Sequence, residues 1–258
     1  MVLWTPEHIR TLLPALAVMA VSSLLLRLWL GKKELRIRMI PLQIIAVLLV
    51  LLEIGKQIDS FSGGYDLYHI PLHYCSLVLL TLPLMAFYKG KYAAVVRDIA
   101  CGVCAAVTVL TVIYPDLIYS AGNITGYFSD FQNFHTVTFH NLAIWVFFLI
   151  LALNIREDSK GAYKPLAIFI LVFCVISATA AQLLQTNYNN FYTCNIAPLE
   201  QLRQAVEAAA GTLTAKILYV LIVTAVDIAF TLGAYLLYRF LSRLAVSGKA
   251  PVQETLIQ

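Results

Sequence analysis

Long apolar runs separated by short polar breaks make up most of this chain. A bilayer-spanning helix needs about 20 mostly apolar residues. Seven stretches qualify, at 10–30, 39–58, 70–88, 93–114, 136–154, 165–185 and 213–238. Their length, and the absence of alternation between apolar and polar positions, predict helices rather than barrel strands. Pro6, Pro41, Pro71 and Pro165 stand where helices are predicted to begin, a position that lacks an intrahelical N–H partner in any case. Pro14 and Pro83 fall inside predicted spans and should kink them. The first run does not read as a signal peptide, because it lacks a basic start and continues to Leu30. No internal repeat or low-complexity tract interrupts the pattern. The expectation is an all-α polytopic membrane bundle of seven transmembrane helices over residues 1–245, with a short tail at 246–258.

Composition narrows the class. Of the 258 residues, 60% are hydrophobic and 12% charged, against roughly 45–50% and about 25% in soluble domains. So few charges cannot cover a water-facing globule, and disorder needs the opposite balance. The net charge of +4 does not indicate nucleic-acid binding, because of where the charge lies. Lys32, Lys33, Arg36 and Arg38 follow the first run, and Lys89, Lys91 and Arg97 surround the third break. Arg156, Lys160 and Lys164 fill the fifth, and Arg239, Arg243 and Lys249 follow the last run. Residues 59–69 and 115–135 contain no Lys or Arg. The positive-inside rule then predicts the N-terminus outside and the C-terminus in the cytoplasm. One outer segment, 198–210, has apolar residues at helical spacing before Gly211 and reads as an interfacial helix, either a lid or a spacer.

Ionisable groups at membrane depth are costly, so each is a candidate for function. Glu53 and Lys56 fall near the outer end of the second span, and His73 and Cys75 near the outer start of the third. His140 falls about one turn into the fifth, Asn187 and Tyr188 close the sixth, and Asp227 and Lys216 lie on the seventh. Under the predicted topology all lie in the outer half of the bilayer. A thiolate is a strong nucleophile, and an imidazole can take its proton. Cys75 and His140 have similar depth on different helices, which allows contact. On a regular helix His73 would face away from Cys75 and would orient substrate or pair with a carboxylate such as Glu53. The competing reading makes Cys75 a small apolar filler and His140 an interhelical hydrogen-bonder.

The remaining polar groups carry less. Cys101 and Cys104 read as small helix-packing residues rather than a redox or zinc pair. Five cysteines, with Cys194 in a predicted loop, do not make a disulfide framework. His69 and His135 are predicted to be interfacial, and with His73 and His140 they match no zinc spacing, so neither metal nor cofactor is expected. Asn123-Ile124-Thr125 is a glycosylation sequon by pattern. Lys216 in the last of seven spans invites a retinal protein, but it falls near the membrane surface rather than mid-span.

The run Leu72-His73-Tyr74-Cys75 resembles a family of membrane proteins typified by the bacterial YwaF protein. The likeness extends over most of the chain, through Glu53, Tyr114-Pro115-Asp116, His140 and Asn187-Tyr188. A related eukaryotic branch contains a transmembrane acyltransferase that builds ether phospholipids. The androgen-induced membrane hydrolases are more distantly similar. The resemblance implies a multi-pass protein of a bacterial cytoplasmic membrane, with Cys75 and His140 as the catalytic pair and a phospholipid or other acyl lipid as substrate. His73, Glu53, Asn187, Tyr188, Asp227 and Lys216 are the candidate supporting residues. The alternative is a transporter or receptor with an outward-facing polar pocket; against a transporter, no related halves or broken helices are visible.

Overall fold

The computed structural model describes residues 4–155, 161–193 and 197–247. Arg156, Lys160, Cys194, Lys249 and most of the 246–258 tail lie outside the described residues. Every regular element among the described residues is a helix, with no strand among them. Six helical stretches are long and apolar enough to cross a membrane: Pro6–Leu30 (α1), Leu35–Ser62, Ala93–Ile113 (α5), Phe131–Ala152 (α7), Tyr163–Leu184 (α8) and Thr212–Ala245. The second comprises α2 (Leu35–Arg38) and α3 (Ile40–Ser62), and the last is most of α10 (Thr212–Ser247). The short helices are α4 (Leu77–Phe87), α6 (Ala121–Thr125) and α9 (Ala197–Ala210).

Local sequence sets several of these ends. Thr5 caps α1, accepting from the His8 backbone N–H at 3.3 Å, while the His8 ring accepts from the Thr5 N–H at 3.0 Å. Asp130 caps α7 through the Asn133 N–H at 2.8 Å. That cap starts α7 at Phe131 rather than at 136, so His140 lies about two and a half turns inside.

The third predicted span is the main departure. Only Leu77–Phe87 is α-helical, preceded by 3-10 turns at Leu67–His69 and Tyr74–Ser76. Pro71 does not open a helix. The residue before a proline is disfavoured in the helical region, and Leu72 N–H turns back to the Ile70 carbonyl at 2.7 Å. Side chains take the carbonyls a helix would have used. The His73 ring donates to Tyr68 O (2.9 Å), Gln57 to His69 O (2.8 Å) and Ser177 to Leu72 O (3.1 Å). The 14 residues Tyr74–Phe87 rise only about 21 Å, short of the roughly 30 Å hydrocarbon layer. Irregular backbone at membrane depth is tolerated where protein buries it or where it lines a cavity.

α5 is the central helix, packing on α4, α7, α8 and α10. Its small residues permit this, and Cys101, Cys104, Ala105 and Ala106 are all buried there. A Cβ at Gly102 would sit 2.8 Å from Leu166 Cδ2 and 3.3 Å from Tyr235 Cδ2, which measures how closely α8 and α10 approach. α3 packs on α4 and α7, and α1 lies outside against α7. Arg38 donates to Leu153 O (2.6 Å) and Asn154 O (2.7 Å), and Arg27 to Ala245 O (3.3 Å), so basic residues gather at one end of the bundle.

Candidate functional site

A cavity of about 370 Å³ opens between α3, α5, α7, the irregular 68–76 segment and the turn after α8. Glu53, Lys56, His73, Cys75, His140 and Asn187, all polar candidates read from the sequence, line it. Cys75 lies in the 3-10 turn directly before α4, so that helix presents the positive end of its dipole to the thiol's turn. Because Cys75 and His73 are not on a regular helix, the rotation that would separate them does not apply, and both reach the cavity.

His140 comes from α7. Its Nδ1 is 2.7 Å from the Thr136 carbonyl oxygen, which can only accept. Nδ1 therefore carries the proton, and in the neutral ring Nε2 keeps its lone pair. His73 has the opposite arrangement, with Nε2 donating to Tyr68 O. Its ring sits 4.4 Å from the Tyr68 ring and 5.6 Å from that of Tyr188.

The charged part of the cavity is built on α3. Glu53 Oε1 accepts from Lys56 Nζ and from Gln57 Nε2, both at 2.7 Å. Glu53 Oε2 faces His135 Nε2 at 3.2 Å, off the line of a good hydrogen bond. Glu53 thus pairs with His135 and Lys56 rather than with His73. His135 is buried instead of interfacial, because α7 begins at Phe131 and carries it inside. The sequence reading had only the apolar run to mark that helix's start and missed the Asp130 cap. Tyr65 donates to Gln57 Oε1 at 2.8 Å and completes the network.

The turn after α8 closes another side. Asn187 Oδ1 accepts from the backbone of Tyr192 (3.3 Å) and Thr193 (3.1 Å), leaving its Nδ2 for the cavity. Tyr188 is fully buried and donates its hydroxyl to Leu67 O, so it clamps the irregular segment instead of facing the cavity. Asn189 and Asn190 have φ of 50° and 60°, a left-handed turn that asparagine tolerates. Asn189 lines the cavity and donates to Asp227 Oδ2 at 2.6 Å. Asp227 therefore stands behind the lining, with Cys174 Sγ at 3.6 Å. One turn further on, Thr231 bonds Tyr74 OH at 2.5 Å.

The structure does not bring Lys216 to this site; it is exposed near the start of α10. No described side chain of α9 lines the cavity either; α9 packs on α10, and its Arg203 pairs with Glu200 and Glu207. That arrangement fits a spacer better than a lid. Asn123, in α6, commits its amide to Ile118 O at 2.8 Å. Among the described residues no three His, Cys, Asp or Glu side chains converge as a metal site. Gln132 and Asn189 are lining residues that the sequence reading had not singled out. Their polarity on membrane-depth helices or at helix ends was the available signal.

An all-helical bundle of membrane-crossing length, with a polar cavity set among its helices, defines a multi-pass membrane protein. The chain belongs to the TMEM164 family, whose match runs over residues 3–238. No curated protein and no solved structure matches it.

Proposed function

We propose that this protein is a membrane-embedded acyl-transfer enzyme acting on a lipid ester, with Cys75 as nucleophile and His140 as general base. The supporting observation is that both side chains line one cavity, with the His140 Nδ1 proton spent on Thr136 O so that Nε2 keeps its lone pair. In this reading Cys75 Sγ bonds to the ester carbonyl carbon as its proton passes to His140 Nε2. The C–O bond then breaks, and the leaving alcohol takes that proton. A lipid alcohol or water next attacks the thioester, giving its proton to His140, and the thiol reforms as the acyl group departs. The oxyanion of each step meets the Asn187 amide, the N-terminal end of α4 and the Lys56 cation. Tyr188 and Lys216 leave this role, since one is spent on Leu67 O and the other lies elsewhere.

The narrower YwaF-type and bacterial assignments belong to the same proposal, as does the topology. The basic end of the bundle would face the cytoplasm and the cavity the outer leaflet. The irregular 66–76 segment also supports a second reading, since interrupted helices line transporter sites. Labelling with a thiol-reactive acyl probe separates the two. Acyl transfer predicts that wild type labels, that Cys75→Ala abolishes labelling and that His140→Ala slows it by ~10²-fold or more. Equal labelling of all three proteins, with unchanged membrane lipids, would overturn the enzyme in favour of a transporter or receptor.

A further inference from the structure

A second cavity lies at the opposite end of α3 and α7 from the first, with a volume of about 710 Å³. Its walls are aliphatic side chains of α1 and α3, including Leu30, Ile44, Ile45 and Leu48. Trp145 of α7 lines one side, and Lys33 is the sole charged residue of the lining. An apolar groove open between membrane helices is a place for an acyl chain rather than for water.

Two further features specify the headgroup. Lys33 and its neighbours Lys32 and Arg36 are exposed, whereas Arg38 is committed to the carbonyls of Leu153 and Asn154. Glu34 is the one acid in this stretch, so the mouth of the groove is cationic. Basic mouths between membrane helices recognise anionic lipid headgroups. Trp29, 73% exposed beside them, marks the interfacial level where indoles gather.

We propose that this groove holds an anionic phospholipid, with one acyl chain between α1 and α3 beside the Trp145 ring and its phosphate on Lys33. The site is separate from the Cys75 cavity and does not depend on acyl transfer.

The full chain is reconstituted in nanodiscs as Trp4→Phe/Trp29→Phe, leaving Trp145 as the single tryptophan. Its fluorescence is titrated with acyl-brominated phosphatidylglycerol or phosphatidylcholine. Half-quenching is expected at about five-fold lower mole fraction of the anionic lipid, the preference of one lysine–headgroup contact. Lys33→Gln should abolish that preference while leaving Cys75 labelling unchanged, which keeps this test distinct from the previous one. Native mass spectrometry of the unsubstituted chain, released from equal mixtures of the two lipids, should retain phosphatidylglycerol preferentially and serves if the tryptophan variant does not fold. Equal quenching by both lipids, equal retention of both, or a preference that survives Lys33→Gln would overturn the proposal.

Discussion

Removing the Glu53 carboxylate should destabilise the protein more than removing the lysine it holds. Lys56 and Glu53 have side chains only 12% and 13% exposed, and their 2.7 Å contact is central to the cavity's charge balance. Glu53→Ala leaves the Lys56 ammonium without its anion and removes the acceptor facing Gln57 and His135. Breaking a buried pair from one side costs about 3–5 kcal/mol, because the surviving charge stays desolvated. At ~2–4 °C per kcal/mol for soluble domains approaching this size, that is a fall of about 6–20 °C in melting temperature. Lys56→Met costs less, since Glu53 keeps its bond from Gln57 and its approach to His135. The double variant Glu53→Ala/Lys56→Met should recover much of the loss, as neither charge is then stranded. Thermal unfolding in nanodiscs, followed by intrinsic fluorescence, reads all four corners of this cycle. If Glu53→Ala melts within about 2 °C of wild type, or if the two single effects simply add, the pair does not hold the cavity together as reasoned here.

Other expectations follow from the same contacts. Ser177→Ala strips the part-buried Leu72 carbonyl of its side-chain donor, costing ~0.5–1.5 kcal/mol; it should also raise amide exchange across 70–76 in hydrogen-exchange mass spectrometry, and unchanged exchange would refute the role. Tyr74→Phe removes the buried hydroxyl contact with Thr231 and should lower stability by ~0.5–1.5 kcal/mol, with Thr231→Val adding little on top in a melting series. Gly55→Ala would place a Cβ 2.8 Å from Phe131 Cζ, an overpacking cost of ~1–3 kcal/mol; Phe131→Ala in the same chain should relieve part of it.

Much of the bundle is legible in the chain because hydropathy reports partitioning into lipid, and six long helices follow the apolar runs closely. The third run failed for the same reason. Residues 70–88 are apolar enough to enter the membrane whether or not they are helical, and hydropathy does not distinguish the two. What decides the shape of 66–76 is the set of side chains that satisfy its carbonyls, and Ser177 and Tyr188 come from more than a hundred residues away. The polar candidates were visible singly, since each is costly at membrane depth. Their partners were not. Nothing local in the sequence joins Asn189 to Asp227, and a spacing argument could not choose between His73 and His135 for Glu53.

The dependence of the Cys75 segment on distant donors also constrains the order of assembly. Ser177 is 105 residues beyond Leu72, and Tyr188 is 121 beyond Leu67. When the ribosome has delivered residues 66–87, neither donor has yet been synthesised. A segment with too short a helix and unpaired carbonyls is a poor candidate for stable insertion by itself. It should settle only after α8 has emerged and docked. Chains truncated before Ser177 should therefore react at Cys75 with membrane-impermeant thiol reagents faster than the finished protein does. The residue proposed for chemistry would then be among the last in the bundle to reach its place.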